Sequence, residues 1–142
     1  MARTRQIAAL PIRHDATGAI EVLLVTSRET RRWVIPKGWP WRGRPDHDAA
    51  LGEAWEEAGV RGTLMSEPVG SFSYEKRRPD DIIPVTVEVY LLQVAEEVGE
   101  WPEATQRDRA WFSPAAAADA VQEPELKALL LQLAEGGYVP GD

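Results

Sequence analysis

"GEAWEEAGV", residues 52–60, places three glutamates, Glu53, Glu56 and Glu57, along one side of a predicted helix. Residues three and four positions apart are neighbours on a helix surface, and none of these glutamates has a basic partner within the helix. Their carboxylates therefore repel one another, which raises their pKa values unless a cation lies among them. Carboxylate oxygens are the usual ligands of Mg²⁺ and Mn²⁺. The stretch indicates either a divalent-metal site or a solvent-facing acidic helix.

The helix itself is predicted to run from Asp46 to Ala58. Pro45 and Asp46 suit its first turn, and Gly59 suits the position just past its end. The side opposite the glutamates is apolar and rich in alanine, and such small side chains permit close approach to a sheet. We therefore expect the helix to pack on a sheet through this apolar side.

Strands are predicted on both sides of this helix. They comprise residues 6–13, 19–27, 32–36, 69–76, 85–96 and 110–113. Pro11 places the first strand at a sheet edge or a bulge, whereas the continuous apolar run of the second is typical of a central strand. Two helices, 114–122 and 124–135, close the chain, and Ser113 is expected to cap the first of them. This order predicts an α+β fold with a mixed sheet packed between helices.

Length and composition indicate one ordinary globular domain. The chain has 142 residues, of which 44% are hydrophobic and 27% charged. There is no cysteine, which excludes disulfides and thiolate metal sites and suits a reducing compartment. The apolar run in "MARTRQIAAL" is too short for a secretory signal, and no stretch has membrane-spanning length. We expect a cytoplasmic protein that does not associate with a membrane.

The charge of the chain is unevenly distributed. Its net charge is −7, yet residues 1–44 hold nine Lys and Arg against three acids. A chain that is acidic overall is a poor candidate for bulk nucleic-acid binding. A basic first third next to an acidic helix is suited instead to a small polyanion held together with metal ions.

Residues 38–60 carry a longer pattern that contains the three glutamates. They resemble the Nudix box, G-x5-E-x7-R-E-U-x-E-E-x-G-U, in which U is an aliphatic residue. The positions that match in register are Gly38, Glu53, Glu56, Glu57, Gly59 and Val60, with Ala54 as a small U. The flanks "EVLLVTSRETRRWVIPKG", "RGTLMSEPVGSF" and "RDRAWFSPAAA" resemble the diphosphoinositol polyphosphate phosphohydrolase branch of this family. The resemblance covers nearly the whole chain and implies a single Nudix domain over residues 1–142, with a Nudix-type α/β/α sandwich and a mixed β-sheet.

Two positions depart from the pattern. Arg44 stands where the family has its first glutamate, and Gly52 stands where the family has an arginine. In the family these two residues typically pair and brace the loop against the helix. Arg44 is expected to reach Asp46, Asp48 or a substrate phosphate instead. The departures put the support of the glutamates in question, but the three glutamates themselves are all present.

The resemblance implies hydrolysis of a diphosphate linkage by water, with Mg²⁺ or Mn²⁺ as cofactor. It implies Glu53 and Glu57 as principal metal ligands and Glu56 as a further ligand or the general base, with Glu53 also among the catalytic residues. Backbone carbonyls of Lys37 and Gly38 are expected to complete the coordination. The base varies across the family, so a carboxylate from a later loop, Glu75 or Glu103, is the other candidate.

Basic side chains are expected to hold the rest of the substrate, because arginine grips phosphate at two points. By position in the resemblance, the candidates are Arg5, Arg13, Arg28, Arg32, Lys37, Arg107 and Arg109. Lys76, Arg77 and Arg78 are placed on or beside a polar hairpin loop, 77–84, where they are expected to be solvated. Trp39 and Trp41, in the Gly- and Pro-rich loop before the helix, either stack on a base or pin the loop to the body.

Several functions remain compatible with these residues. The substrate implied by the resemblance is a diphosphoinositol polyphosphate, and the alternative is a nucleotide such as a dinucleoside polyphosphate, ADP-ribose or a nucleoside triphosphate. A further alternative is a binding module on the same scaffold that has lost turnover, because fold and function are separable. We expect a monomer or a homodimer.

Overall fold

The computed structural model describes residues 4–135, and these residues form a mixed sheet flanked by three helices. The strands are β1 (Arg5–His14), β2 (Ile20–Thr26), β3 (Trp33–Val34), β4 (Lys37–Gly38), β5 (Val60–Leu64), β6 (Gly70–Arg77), β7 (Ile82–Glu97) and β8 (Arg109–Phe112). The helices are α1 (Asp46–Ala58), α2 (Pro114–Ala120) and α3 (Pro124–Ala134). The α+β class is thereby confirmed, and the helix bounds agree closely with the predicted ones. None of the described helices is both long and apolar enough to cross a membrane.

The sheet is built around β1 and β7, which run parallel to each other. The spatial order is β3-β2-β1-β7-β5, and β4, β6 and β8 pair with β1, β7 and β2 respectively. All pairings other than β1 with β7 are antiparallel, so the sheet is mixed as predicted. The second strand of the chain, β2, has partners on both sides and is central, as its apolar run indicates.

Pro11 does not lie at an edge or a bulge, so that prediction is wrong. It lies inside β1, in register with Leu92 of β7. On its other side, β1 pairs with β4 through Ile7 and Ala8 and then with β2 from Ile12 onward. Pro11 therefore occupies the gap between two partners, where a strand can lack an N–H donor without losing a ladder bond.

The helices cover both faces of the sheet. One core cluster contains Ala8 and Leu10 of β1 together with residues of α2 and α3. The other contains Ile7 and Ala9 of β1 together with Ala54 and two further alanines of α1. Alternate residues of a strand point to opposite faces, so β1 contributes to both cores. The result is the expected α/β/α sandwich, with α1 packed through its alanines.

The end of α1 and the start of α2 follow the local sequence signals. Gly59, just after α1, has a φ of 68°, a left-handed conformation that glycine adopts without a steric penalty. Ser113 caps α2 by accepting a hydrogen bond from the backbone N–H of Ala116, as predicted.

Three details of the strands differ from the prediction. Within the stretch 32–36 only Trp33 and Val34 form a strand, β3, and a separate short strand, β4, follows at Lys37 and Gly38. The strand β5 was not predicted, because Gly62 interrupts its pattern at the position where its register with β7 shifts. The hairpin between β6 and β7 is also tighter than 77–84, since β6 extends to Arg77 and β7 begins at Ile82.

Candidate active site

A cavity of about 660 Å³ lies between α1, β4, β6 and two loop segments, 27–34 and 103–107. Its lining carries many charged side chains of both signs. The acidic ones are Glu29, Glu53, Glu57, Glu75 and Glu103, and the basic ones are Arg28, Arg32, Lys37, Lys76, Arg77 and Arg107. A site with adjacent carboxylates and several cations is suited to an anionic ligand that binds together with a metal ion.

The carboxylate of Glu53 is held closely by the loop that precedes α1. A Cβ atom added to Gly38 would lie 2.4 Å from Oε2 of Glu53, so only glycine allows this approach. On the other side, the indole Nε1 of Trp41 donates a hydrogen bond to Oε2 of Glu53 at 3.2 Å. Burial raises the pKa of Glu53, and hydrogen bonds from Glu57 and Trp41 act in the opposite direction.

Glu57 is the most deeply placed carboxylate of the cavity, with 6% of the residue exposed. Its pKa is raised from the ordinary 4.5 to about 8, chiefly by burial; the charge of Arg107 opposes the rise, and the nearby charge of Glu53 adds to it. The two carboxyl groups lie within hydrogen-bonding reach of each other, and this contact lowers the pKa of Glu53 while it raises that of Glu57.

Arg107 connects Glu57 to the segment that follows β7. Its side chain is 9% exposed and lies 3.6 Å from Glu57, measured from NH2 to Oε2. Its Nε donates to Glu103 at 2.6 Å, and NH1 donates to the backbone oxygen of Thr26 at 3.1 Å. One buried guanidinium therefore joins α1, the end of β2 and the loop of Glu103.

The last turn of α1 receives donors from this same segment. The carbonyl of Glu56 accepts from the backbone N–H of Glu103 at 3.0 Å, and the carbonyl of Glu57 accepts from Nε1 of Trp101 at 3.0 Å. The carbonyl of Ala58 accepts from Arg109 at 2.7 Å. Carbonyls at a helix end lack partners within the helix, so these donors satisfy groups that would otherwise stay unpaired. They also place Glu103 and Arg107 beside the glutamates.

The donor chemistry of this site fits a divalent cation with oxygen ligands. Mg²⁺ is commonly bound through one or two carboxylates, with waters and substrate phosphates completing its shell. Glu53 and Glu57 provide such a pair, and the close approach of Gly38 brings backbone to the same point. Within residues 4–135, no three acidic or histidine side chains converge on one point that could hold a metal. The carbonyls of Lys37 and Gly38 stay predicted ligands.

The candidate bases lie at different places. Glu75 and Glu103 both line the cavity, and Glu103 is tied to Arg107. Glu56 does not belong to the lining, although its charge raises the pKa of Glu53. Glu53, Glu57, Glu75 and Glu103 therefore all line the cavity, whereas Glu56 lies outside its lining.

Four of the predicted substrate residues reach the cavity, namely Arg28, Arg32, Lys37 and Arg107. Arg28 is hydrogen-bonded to the side-chain oxygen of Gln106 at 3.2 Å, and Arg32 is hydrogen-bonded to that of Gln122. These partners are neutral, so the two guanidinium charges are not consumed by carboxylates. The amine of Lys37 lies 4.8 Å from the ring centre of Tyr74, and burial lowers its pKa.

The other three lie elsewhere. Arg5 is paired with Asp46 and Glu88, outside the cavity. Arg13 donates to Glu21 at 2.9 Å and lies over the ring of Trp111. Arg109 is occupied at the end of α1, with its guanidinium 3.9 Å from the ring centre of Trp101. Each is held by structural partners, which the sequence pattern does not distinguish from substrate contacts.

Sequence reasoning missed the basic residues of β6. Lys76 and Arg77, predicted to be solvated on a loop, belong to the strand and line the cavity, and so does Tyr74. The signal was the alternation of the strand, which places Lys76 on the same face as Phe72 and Tyr74. Burial raises the pKa of Tyr74 to about 12, and its hydroxyl donates to Gln6 at 2.7 Å.

The two departures from the Nudix pattern have separate outcomes. Arg44 pairs with Asp48, one helical turn away, at 2.9 Å, which was one of its predicted partners. At Gly52, an added Cβ would lie 2.1 Å from Cη2 of Trp41, so the indole ring occupies the space next to this glycine. Trp41 thus pins the loop to the helix, one of the two roles predicted for it.

Sequence comparison relates the chain to one family over most of its length. A family model described as the NUDIX domain matches residues 3–133. Nudix hydrolase 16, mitochondrial, of Arabidopsis thaliana is 33% identical over 117 residues, or 80% of this chain and 64% of the relative. Diphosphoinositol polyphosphate phosphohydrolase 3-beta of Homo sapiens is 36% identical over 95 residues, or 65% of this chain and 54% of the relative. The chain spans about half to two thirds of the length of these relatives.

Structure comparison agrees on the fold. The C. elegans Ap4A hydrolase in a binary complex matches with a TM-score of 0.70 at 20% identity, covering 95% of this chain and 99% of that one. The E. coli dihydroneopterin triphosphate pyrophosphohydrolase matches with a TM-score of 0.73 at 18% identity, covering 94% and 97%. Together with the match over residues 3–133, this likeness shows that the chain belongs to the Nudix family.

Proposed function

We propose that this protein hydrolyses a phosphoanhydride bond of a strongly anionic diphosphate with the help of Mg²⁺ or Mn²⁺. The observation that carries the proposal is the adjacent pair of Glu53 and Glu57 in a cavity whose lining also has six basic side chains. The carboxylates would hold the metal, and the cations would hold phosphate oxygens. The relatives named as Nudix hydrolases and as a phosphohydrolase support the reaction class.

In the proposed reaction, the oxygen of a water forms a bond to one phosphorus and the bridging P–O bond breaks. The electron pair of that bond leaves with the departing phosphate, and the proton of the water passes to a carboxylate base. Glu53 and Glu57 would hold the divalent metal, which would supply positive charge to the diphosphate and would lower the pKa of the attacking water. Arg28, Arg32 and Lys37 orient the phosphates relative to that water.

The base is proposed among the carboxylates near this point. Glu103 lines the cavity and is oriented by Arg107, which supports it as the base. Glu75 also lines the cavity, and the family resemblance favours Glu56 or Glu53. Glutamine variants of all four, compared in one assay at several pH values, identify the base as the residue whose loss removes the acidic limb of the pH–rate profile.

The substrate is proposed to carry several phosphates. Six basic side chains around one cavity support a diphosphoinositol polyphosphate, whose phosphates surround the whole ring. The cavity also contains the aromatic side chains of Trp39 and Tyr74, which favours a nucleotide as second candidate, because a base can stack on an aromatic face. The two classes differ in the group attached to the diphosphate, which carries further phosphates in the first class and a base in the second.

A hydrolysis assay on both substrate classes, with the products separated by ion-exchange chromatography, tests the proposal with Mg²⁺ or Mn²⁺ and with chelator. We expect metal-dependent hydrolysis, and we expect Glu57→Gln to abolish it because a ligand carboxylate becomes a neutral amide. Glu100→Gln is the matched control, because Glu100 is exposed and outside the cavity. Tight binding of a diphosphate without turnover of any compound would show a binding module instead.

Compartment and assembly remain proposals. The absence of cysteine supports a reducing compartment such as the cytoplasm, although the Arabidopsis relative is named mitochondrial. Light scattering of the purified chain would distinguish a monomer from a homodimer.

A further inference from the structure

Trp41 and Gly52 form a close contact next to the candidate metal site. A Cβ atom added to Gly52 would lie 2.1 Å from Cη2 and 2.3 Å from Cζ2 of the indole, so any side chain at this position would displace the ring. The same indole donates from Nε1 to Oε2 of Glu53 at 3.2 Å. The ring therefore contacts the helix backbone at one residue and the carboxylate of the next.

We propose that Trp41 is a positioning residue that sets the orientation of the Glu53 carboxylate for metal binding, and that Gly52 is required to admit its ring. The inference rests on the proposed function, since it assigns a role toward the metal. It concerns Trp41 and Gly52, which are not themselves proposed metal ligands.

Gly52 supports this inference because glycine is unfavourable in the interior of a helix. It lies in the middle of α1, which runs from Asp46 to Ala58, where an alanine would favour the helix. The chain keeps a glycine there, and the space that it leaves is filled by the indole. The glycine thus has a packing reason that the local sequence does not reveal.

The restraint on Glu53 comes from two sides. The backbone of Gly38 approaches the carboxylate on one side, and Trp41 donates to it on the other. A glutamate side chain has several rotatable bonds, and ordering it on metal binding costs conformational entropy. A partner that already holds the carboxylate lowers this cost, which is how neighbouring hydrogen bonds raise the affinity of metal sites. Arg44 does not contribute, because it is exposed and paired with Asp48.

Trp41→Phe tests the hydrogen bond while keeping an aromatic ring in the loop. Mn²⁺ binding to the substrate-free protein, followed by electron paramagnetic resonance of free Mn²⁺, is expected to weaken by about 10- to 100-fold. At saturating Mn²⁺, kcat should fall while KM stays near that of the wild type, because substrate contacts are untouched. Trp55→Phe is the matched control, since Trp55 lies on the same helix beneath Arg61 and does not line the cavity. It should bind Mn²⁺ as the wild type does.

A double-mutant cycle tests the packing. Gly52→Ala should weaken Mn²⁺ binding in the wild-type background because its Cβ displaces the indole. It should have no further effect in a Trp41→Ala background, where the ring is absent. Gly99→Ala is the control for a glycine-to-alanine change, because nothing lies within 4 Å of its added Cβ. Additive effects of Gly52→Ala and Trp41→Ala would overturn the inference.

Thermal unfolding separates positioning from simple anchoring of the loop. If Trp41→Phe lowers only the melting temperature and binds Mn²⁺ as tightly as the wild type, Trp41 is a structural anchor and the inference is wrong. If the wild type itself neither binds Mn²⁺ nor hydrolyses a diphosphate, the proposed function fails and this inference falls with it. If Trp41→Phe loses Mn²⁺ affinity and kcat in parallel, with only a small change in melting temperature, the inference is supported.

Discussion

At the scale of single residues, Glu57 combines burial with a neighbouring carboxylate. Its carboxyl group is buried beside that of Glu53, and the nearest positive group, Arg107, is shared with Glu103. Burial raises the pKa of Glu57 to about 8, so in the metal-free protein this group holds a proton at neutral pH. At the proposed metal site, metal and proton would compete for the same oxygens, and metal binding would release a proton.

We expect the free energy of unfolding of the metal-free protein to fall as the pH rises from about 4.5 to about 8 through the contribution of Glu57. The folded state keeps the proton in this window and the unfolded state releases it, so the contribution is full below 4.5 and lost above 8. Glu57→Gln does not titrate, so its stability relative to the wild type should rise across the window. Urea unfolding in chelator at several pH values measures the difference.

Glu100→Gln serves as control, and its curve should run parallel to that of the wild type, because Glu100 is exposed and outside the cavity. Addition of Mg²⁺ at pH 8 should stabilise the wild type and not Glu57→Gln. Parallel curves for the wild type and Glu57→Gln would contradict the raised pKa.

At the scale of elements, the end of α1 and the segment before β8 form one unit. Glu103, Trp101 and Arg109 each donate to a carbonyl in the last turn of the helix. A helix C-terminus is partly negative, so a guanidinium there is favourable as well as hydrogen-bonded. The helix that carries the glutamates is thus tied to the segment that carries Glu103 and Arg107.

Arg109→Ala should therefore lower stability rather than substrate affinity. Loss of the guanidinium leaves the buried carbonyl of Ala58 without its partner, at a cost of about 1–3 kcal/mol. KM should stay near the wild-type value, since Arg109 does not line the cavity. Urea unfolding and steady-state kinetics on the same preparation measure both effects.

Arg42→Ala is the matched control, because Arg42 is exposed and should change stability by no more than about 0.5 kcal/mol. A large rise in KM for Arg109→Ala with unchanged stability would instead support the substrate role that the sequence pattern implied.

At the scale of the whole molecule, the distribution of charge matters more than its sum. The chain has a net charge of −7, yet its cavity has six basic side chains in its lining. Arg28 and Arg32 are held by the neutral side chains of Gln106 and Gln122, while Arg5 and Arg13 are neutralised by carboxylates. A cavity lined by six basic and five acidic side chains suits a small anion that binds with a metal ion, whereas the net negative charge of the chain disfavours large anions such as nucleic acids.

Arg28→Ala and Arg32→Ala should each raise KM by about tenfold, the equivalent of one charge-assisted hydrogen bond. Arg13→Ala is the control and should leave KM unchanged, because Arg13 is bound to Glu21 outside the cavity. The kcat/KM of the wild type should also fall as salt shortens the Debye length from about 10 Å to about 3 Å. A KM insensitive to both cavity arginines would rule out the proposed mode of substrate binding.

The sequence by itself determined what depends on neighbouring residues. The bounds of α1, its alanine face and the spacing of its glutamates follow from helical periodicity and from Pro45 and Gly59, and the structure agrees. The layered architecture likewise follows from the order of elements and from the apolar run of β2. These signals are local, so a linear pattern carries them.

The tertiary structure decided which side chains meet. Glu103 and Arg107 lie 46 and 50 positions after Glu57 in the sequence. Hydrogen bonds to the end of α1 bring them next to it in the folded chain. Lys76 lines the cavity, whereas Arg109 lies outside it and binds the carbonyl of Ala58. Arginines look alike in a sequence, and their roles differ only by the partners that sheet order and packing bring to them. The contact between Trp41 and Gly52 is likewise decided by tertiary structure. In the sequence, Gly52 is only a residue that weakens a helix, and the structure shows that the ring of Trp41 fills the space beside it.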